Sequence, residues 1–296
     1  SGGRGMLDRF LRLLGPTWRA APVRRVTQAL CLALFLALFC YVSWPYADAF
    51  SCRVLSDKEW VPAETFLWLD PLVGLSTSLA ARWWNVALIG TGAVLLLSLL
   101  FPRGFCAYIC PLGALLDVFD RFIGARFRRL RVTIHGRWAA LKYHVLAAVL
   151  VCALCGVLVS GFVAPIPVLT RGLLFTGGRL QLGMLKHWGM LHPAAAEVWV
   201  SVALFALIFL LGFLGTRCWC RHVCPSGALL SLCSPVRLFQ REVSSQCVRC
   251  GKCVEHCAFG AIDDEFRTRR LDCASCQTCA GVCPAQAITF AARWNG

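Results

Sequence analysis

Cys247-Val-Arg-Cys250-Gly-Lys-Cys253-Val-Glu-His-Cys257 and, fifteen residues on, Cys273-Ala-Ser-Cys276-Gln-Thr-Cys279-Ala-Gly-Val-Cys283-Pro284 decide how the end of this chain folds. Both stretches have the spacing C-x2-C-x2-C-x3-C. A cubane of iron and sulfide takes four thiolates converging from tight loops, and two-residue gaps let successive sulfurs turn inward while the backbone curls around them. In paired runs of this kind the fourth cysteine crosses to the other cluster. One [4Fe-4S] cluster is therefore assigned to Cys247, Cys250, Cys253 and Cys283, and its twin to Cys273, Cys276, Cys279 and Cys257. Zinc favours four ligands in two separated pairs, and disulfides are rare in a reducing cytosol, so both fit badly. The expectation is a small α+β module that moves electrons singly.

Upstream the composition changes. Of 296 residues 58% are hydrophobic and 15% charged, which is too apolar for a soluble domain. Four runs, at about 26–44, 84–101, 141–163 and 197–215, are long enough to cross an ~30 Å hydrocarbon core, which takes about 20 residues of helix. The first run is longer than a signal-peptide core, and no small-residue cleavage site with polar sequence follows it. The expected fold is mainly α: a basic amphipathic tail (1–25), a four-transmembrane-helix bundle (26–240), and a two-cluster ferredoxin-like module (241–296).

The chain holds 30 Lys plus Arg against 15 Asp plus Glu, and 24 of the basic residues fall in the tail, in the loop 102–142 and after residue 216. Basic residues next to a span are retained in the cytoplasm. This predicts both termini and the cluster module on the cytoplasmic side of a bacterial inner membrane, and it accounts for the +15 charge without a nucleic-acid partner.

Phe105-Cys106-Ala-Tyr-Ile-Cys110-Pro111-Leu112-Gly113 follows the second span, and Trp219-Cys220-Arg-His-Val-Cys224-Pro225-Ser226-Gly227 follows the fourth, shifted by 114 residues. A spacing of four places both sulfurs of a pair on one helix face. Repeats in membrane proteins commonly pack about a pseudo-twofold axis, which would bring Cys106, Cys110, Cys220 and Cys224 together to hold a third iron-sulfur cluster or a single metal ion. A helix-ending turn explains the proline and glycine but not cysteine twice over. Cys218 and Cys233 read as bystanders.

The first outer loop, 45–82, carries Trp60, Phe66, Trp68 and Asp70-Pro71-Leu72, with the aromatics expected at headgroup level. Asp70 is a candidate proton acceptor for a quinol, and equally a turn or N-cap carboxylate before proline. The second outer loop, 164–196, reads as a re-entrant or interfacial segment over a quinone pocket, and equally as an ordinary loop. The six histidines offer no facing pair inside the spans, which argues against bis-histidine haem.

Four spans, two C-x3-C-P-x-G repeats, D-P-L in the first outer loop and a C-terminal two-cluster module together resemble the NapH, NosR and MauN group of membrane-bound polyferredoxins. The resemblance covers nearly the whole chain and is nearest to NapH in layout. It implies a quinol dehydrogenase component that exchanges electrons between quinone and a respiratory or periplasmic redox system, with other electron-transfer subunits and membrane lipid as partners. The flavin-bearing domain of NosR is absent. A metal-reducing assembly factor of the CcoG type is the alternative implied by resemblance, although the C-terminal domain of that group is missing.

Overall fold

In the computed structural model, residues 20–43, 65–84, 87–123, 138, 140–178 and 196–292 are described. The amphipathic tail before residue 20, Trp60, the side chain of Phe66 and most of the basic loop after Ile123 lie outside them.

Before residue 239, the regular elements among the described residues are all helical. The main ones are α1 (Pro22–Ser43), α2 (Pro71–Ala81), α3 (Ala87–Leu100), α4 (Pro111–Phe122), α5 (Leu141–Leu154), α6 (Pro165–Leu173), α7 (Ala196–Leu214), α8 (Cys218–His222) and α9 (Pro225–Leu232). Among the described residues, two helices are long and apolar enough to cross a membrane, over Pro22–Tyr41 and Ala196–Leu214. Each buries only 17% of its apolar window inside the protein, whereas a soluble core helix would cover most of that surface.

The other two expected spans are shorter helices. At 1.5 Å per residue the 14 residues of α3 and of α5 rise ~21 Å, below the ~30 Å of a hydrocarbon core. The run at 141–163 is broken because the chain turns at Cys155–Gly156, where Gly156 takes φ 84°, and restarts as a single turn at Ser160–Val163.

Four short helices start the same way. Pro71, Pro111, Pro165 and Pro225 each stand at the first helical position, where the missing N–H costs nothing and φ is already helical. α4 lies against α7 through Phe119, whose ring meets Phe209 and Phe213 edge-on at 5.2 and 5.3 Å. One apolar core runs from Phe35 of α1 through Val94, Leu112, Ile166 and Ile208 to Phe259, Ala261 and Cys273 of the C-terminal part. The C-terminal module therefore docks into the helical core and does not hang from it on a tether.

That module is closed by its ends. β1 (Phe239–Val243) pairs antiparallel with β2 (Ile288–Ala292), Phe239 opposite Ala292 and Val243 opposite Ile288. Between them run two single-turn helices, α10 (Lys252–Glu255) and α11 (Thr278–Gly281), and an isolated bridge between Ile262 and Thr268.

Candidate iron-sulfur centres and the junction between them

The two cysteine repeats meet. Cys106, Cys110, Cys220 and Cys224 are 2–7% exposed and belong to one buried cluster. Cys106 sits in a π-helical turn over Phe105–Ile109, and Cys110 precedes α4 in extended conformation (φ −60°, ψ 114°). Cys224 precedes α9 with nearly the same angles, φ −57° and ψ 115°, and the Gly227 N–H points at its sulfur from 3.4 Å. Burial pushes all four thiols up, Cys220 to about 11, and the neighbouring thiols raise Cys110 and Cys224 further. Arg103 and Arg217 oppose that shift at Cys106 and Cys220.

These two arginines were not legible as site residues. Each stands three positions before the first cysteine of its repeat, each has left-handed φ (53° and 49°), and each is buried. They cross over. Arg103 Nη2 donates to the Cys220 carbonyl at 3.0 Å, and Arg217 Nη1 donates to the Cys106 carbonyl at 2.9 Å. The glycine of each C-P-x-G leaves room for the guanidinium of the opposite repeat. A Cβ on Gly113 would stand 3.3 Å from the Arg217 nitrogens, and one on Gly227 would stand 3.2 Å from Arg103 Nη2.

Two carboxylates collect the surrounding cations. Asp117 of α4 takes a forked pair from Arg217, Nε to Oδ1 at 2.7 Å and Nη2 to Oδ2 at 2.9 Å, together with Arg24 at 3.0 Å and Arg25. Burial alone would raise its carboxyl, but Arg217, Arg24 and Arg25 outweigh burial and hold it well below the usual carboxylate range. Asp272 accepts from Lys142 Nζ at 2.6 Å and lies 3.5 Å from Arg103. Part of the basic charge that the sequence assigns to the membrane face is thus internal: Arg24, Arg103, Arg217 and Lys142 are each at most 2% exposed.

Phe259, two residues after Cys257, is the pin of the junction. It is 2% exposed, and the guanidiniums of Arg217, Arg103 and Arg24 stand 4.8, 5.5 and 5.8 Å from its ring centre. Arg24 also reaches Thr278 Oγ1 at 2.9 Å, beside Cys279. The C-terminal cysteines divide accordingly. Cys273 belongs to the core that holds the repeats, with Cys257 and Cys276 packed on it. Cys253 belongs to the module's own small core with Ile262 and Ile288, on which Cys257, Cys279 and Cys283 pack. Cys250 is exposed and its neighbour Val248 is 67% exposed.

Sulfur-directed donors recur in the module: Ala261 N–H to Cys257 at 3.3 Å, and Arg241 Nη2 to Cys253 at 3.8 Å. Donors of this kind stabilise thiolate sulfur and tune cluster potentials. Among the described residues, no three His, Cys, Asp or Glu side chains come close enough to hold a single metal ion. Cys218, by contrast, lies 3.7 Å from His222 Nδ1.

Asp70 lies deeper than an outer loop at headgroup level would put it. It is fully buried and caps α2, accepting from Leu72 N–H at 3.1 Å. Ser226, two residues after Cys224, donates to the same Oδ1 at 2.9 Å, and Oδ2 has no partner. Burial pushes the carboxyl up to about 6. α6 enters the same region from the second loop, with Ile166 in the cysteine core. The proline-led starts of both outer-loop helices therefore converge on the repeats.

A family profile described as a 4Fe-4S binding domain matches residues 83–129 and 197–242, once over each cysteine repeat. The ferredoxin-type protein NapH of Haemophilus influenzae is 27% identical over 92% of this chain and 89% of its own length, and NapH of Escherichia coli is 28% identical over the same shares. The methylamine utilization ferredoxin-type protein MauN of Methylobacillus flagellatus is 26% identical over 79% of this chain and 74% of its own. No solved structure matches. The chain is thus homologous to ferredoxin-type electron-transport proteins and carries a 4Fe-4S binding domain.

Proposed function

We propose that this chain is a membrane electron-transfer subunit that passes electrons between the quinone pool and a respiratory or periplasmic redox system. Eight C-terminal cysteines hold two [4Fe-4S] clusters, Cys247, Cys250, Cys253 and Cys283 the first and Cys273, Cys276, Cys279 and Cys257 the second. Cys106, Cys110, Cys220 and Cys224 hold a third. Bound there, the clusters supply one-electron redox chemistry.

The observation that carries the reading is a surplus of buried positive charge around the repeats. Among the described residues, Arg24, Arg25, Arg103, Arg217 and Lys142 gather on two carboxylates, Asp117 and Asp272. Leaving a buried charge unpaired costs several kcal/mol, roughly 3–5 when one partner of a pair is removed. A thiolate-ligated cluster is an anion, and four thiolates beside those arginines supply the missing negative charge. The match of the 4Fe-4S profile to both repeats supports a cluster over a single ion.

The residues divide the labour by depth. Cys257, Cys273 and Cys276 border the repeat core, so Phe259 and its arginines hold the second cluster's loop against the third centre. Cys250 and Val248 offer the first cluster's edge to a soluble partner. The apolar flanks of α1 and α7 keep the assembly in the membrane, on the cytoplasmic face by the distribution of basic residues. Asp70, with one oxygen free and a raised carboxyl, accepts a proton from quinol beside the repeats.

The test is to purify the full chain anaerobically, reduce it with a quinol analogue and record EPR alongside iron and acid-labile sulfide. Appearance of reduced-cluster signals supports the function. Clusters that respond to dithionite but not to quinol overturn its quinol-linked part.

A further inference from the structure

The crossed arginines have a consequence beyond holding two loops together. Arg103 and Arg217 are equivalent in the repeat, both adopt left-handed backbone, and each reaches over to the first cysteine of the other repeat. Their counter-ions are shared. Arg217 pairs in a fork with the buried Asp117, which also takes Arg24 and Arg25. Arg103 shares Asp272, whose side chain is 21% exposed, with Lys142, and meets it at a longer 3.5 Å. Each is a buried cation beside the same four thiols whose carboxylate also serves another cation.

We propose that Arg103 and Arg217 are counter-charge residues that set the reduction potential of the iron-sulfur centre held by the repeat cysteines, each acting on the opposite repeat. The inference rests on the reading that those cysteines hold a cluster. Adding an electron to the centre adds one negative charge, and a buried cation favours the reduced form by an interaction that water does not screen. Removing the cation lowers the potential.

The left-handed φ of a residue with a Cβ costs of order 1 kcal/mol or more and persists only where the surroundings enforce it. Here it occurs at both equivalent positions, and in each case the side chain is thereby aimed across the pseudo-twofold. Lysine would keep the charge but not the planar fork that spans the Cys220 carbonyl and Asp272.

The test is an EPR-monitored potentiometric titration of the purified full chain, anaerobic and in detergent, for Arg103→Gln, Arg217→Gln, Arg103→Lys and Arg217→Lys, with iron content for each. A fourfold Cys106, Cys110, Cys220 and Cys224→Ala variant identifies which signal belongs to the repeats. Arg103→Gln is expected to make the centre at least tenfold harder to reduce, ~59 mV lower for a one-electron couple. Arg217→Gln is expected to lower it in the same direction, and the lysine variants return toward the parent potential.

If the Gln variants keep the signal at an unchanged potential, the inference is overturned while the cluster reading stands. If a Gln variant loses the centre, its Lys counterpart decides: a retained centre at the parent potential supports the charge role, and loss in both makes the arginines purely structural and overturns it. If the fourfold variant has the same iron and signals as the parent, the repeat cysteines hold no cluster, and the underlying reading fails instead.

Discussion

Asp117 is the residue whose loss the structure prices most directly. Its side chain is 8% exposed and receives a forked pair from Arg217, a third bond from Arg24 and a fourth from Arg25. Asp117→Asn keeps the shape and the hydrogen-bonding oxygen but removes the charge and turns an amide toward three guanidiniums. Breaking a buried pair from one side costs ~3–5 kcal/mol, and three stranded cations put the expectation at the upper end. With ~2–4 °C of melting temperature per kcal/mol for chains somewhat smaller than this, the drop is on the order of 10 °C. Thermal loss of visible iron-sulfur absorbance in detergent reads it out. Glu265→Gln is the control, because its pair with Arg267 is 70–79% exposed and such pairs contribute under ~1 kcal/mol. The sign with pH is fixed as well. A carboxyl held below its ordinary value contributes stability that is complete above ~4 and is lost as pH falls through the lower folded value. The difference between parent and variant should therefore be flat from mildly acid to mildly alkaline pH and shrink only in strong acid. A variant that melts with the Glu265→Gln control would refute the view that Asp117 anchors the buried cations.

The other expectations concern the same junction. Gly113→Ala and Gly227→Ala each place a methyl 3.1–3.3 Å from a cysteine carbonyl and the opposite arginine; overpacking of this kind costs ~1–3 kcal/mol, and the repeat-held EPR signal should be lost before the two ferredoxin signals. Phe259→Ala removes a buried ring that three guanidiniums face, a change of ~3–5 kcal/mol, and limited proteolysis should release a C-terminal fragment far faster than from the parent. Asp70→Asn preserves the helix cap, since Asn and Asp cap equally well; iron content should hold while quinol-driven reduction slows. In the parent, Asp70 must be ionised to accept a proton, so the initial rate should rise as pH increases through about 6, and that rise should vanish in Asp70→Asn.

Cysteine spacing exposed the repeats because ligand chemistry fixes residue type and interval together, and the convergence of Cys106, Cys110, Cys220 and Cys224 follows once the two halves pack alike. Depth was harder to read. Arg24, Arg25, Arg103 and Arg217 obey the same charge asymmetry as surface residues, and nothing local marks them as buried. The interval of 114 residues that links the cysteines also links Arg103 to Arg217, so the repeat held the signal for that pair. Helix lengths failed to follow hydropathy for a related reason: apolar residues at 155–163 continue the run, but Gly156 turns the chain and the next segment packs inward. Asp70 looked like a residue at the headgroup level because loops between spans usually lie there. Its contact with Ser226 shows the loop returning to the cysteines.

Iron and acid-labile sulfide per chain, measured on the parent and on the fourfold Cys106, Cys110, Cys220 and Cys224→Ala variant, test the central claim most directly. At four irons per cubane, about twelve in the parent and about eight in the variant are predicted. Equal iron in the two proteins would contradict it.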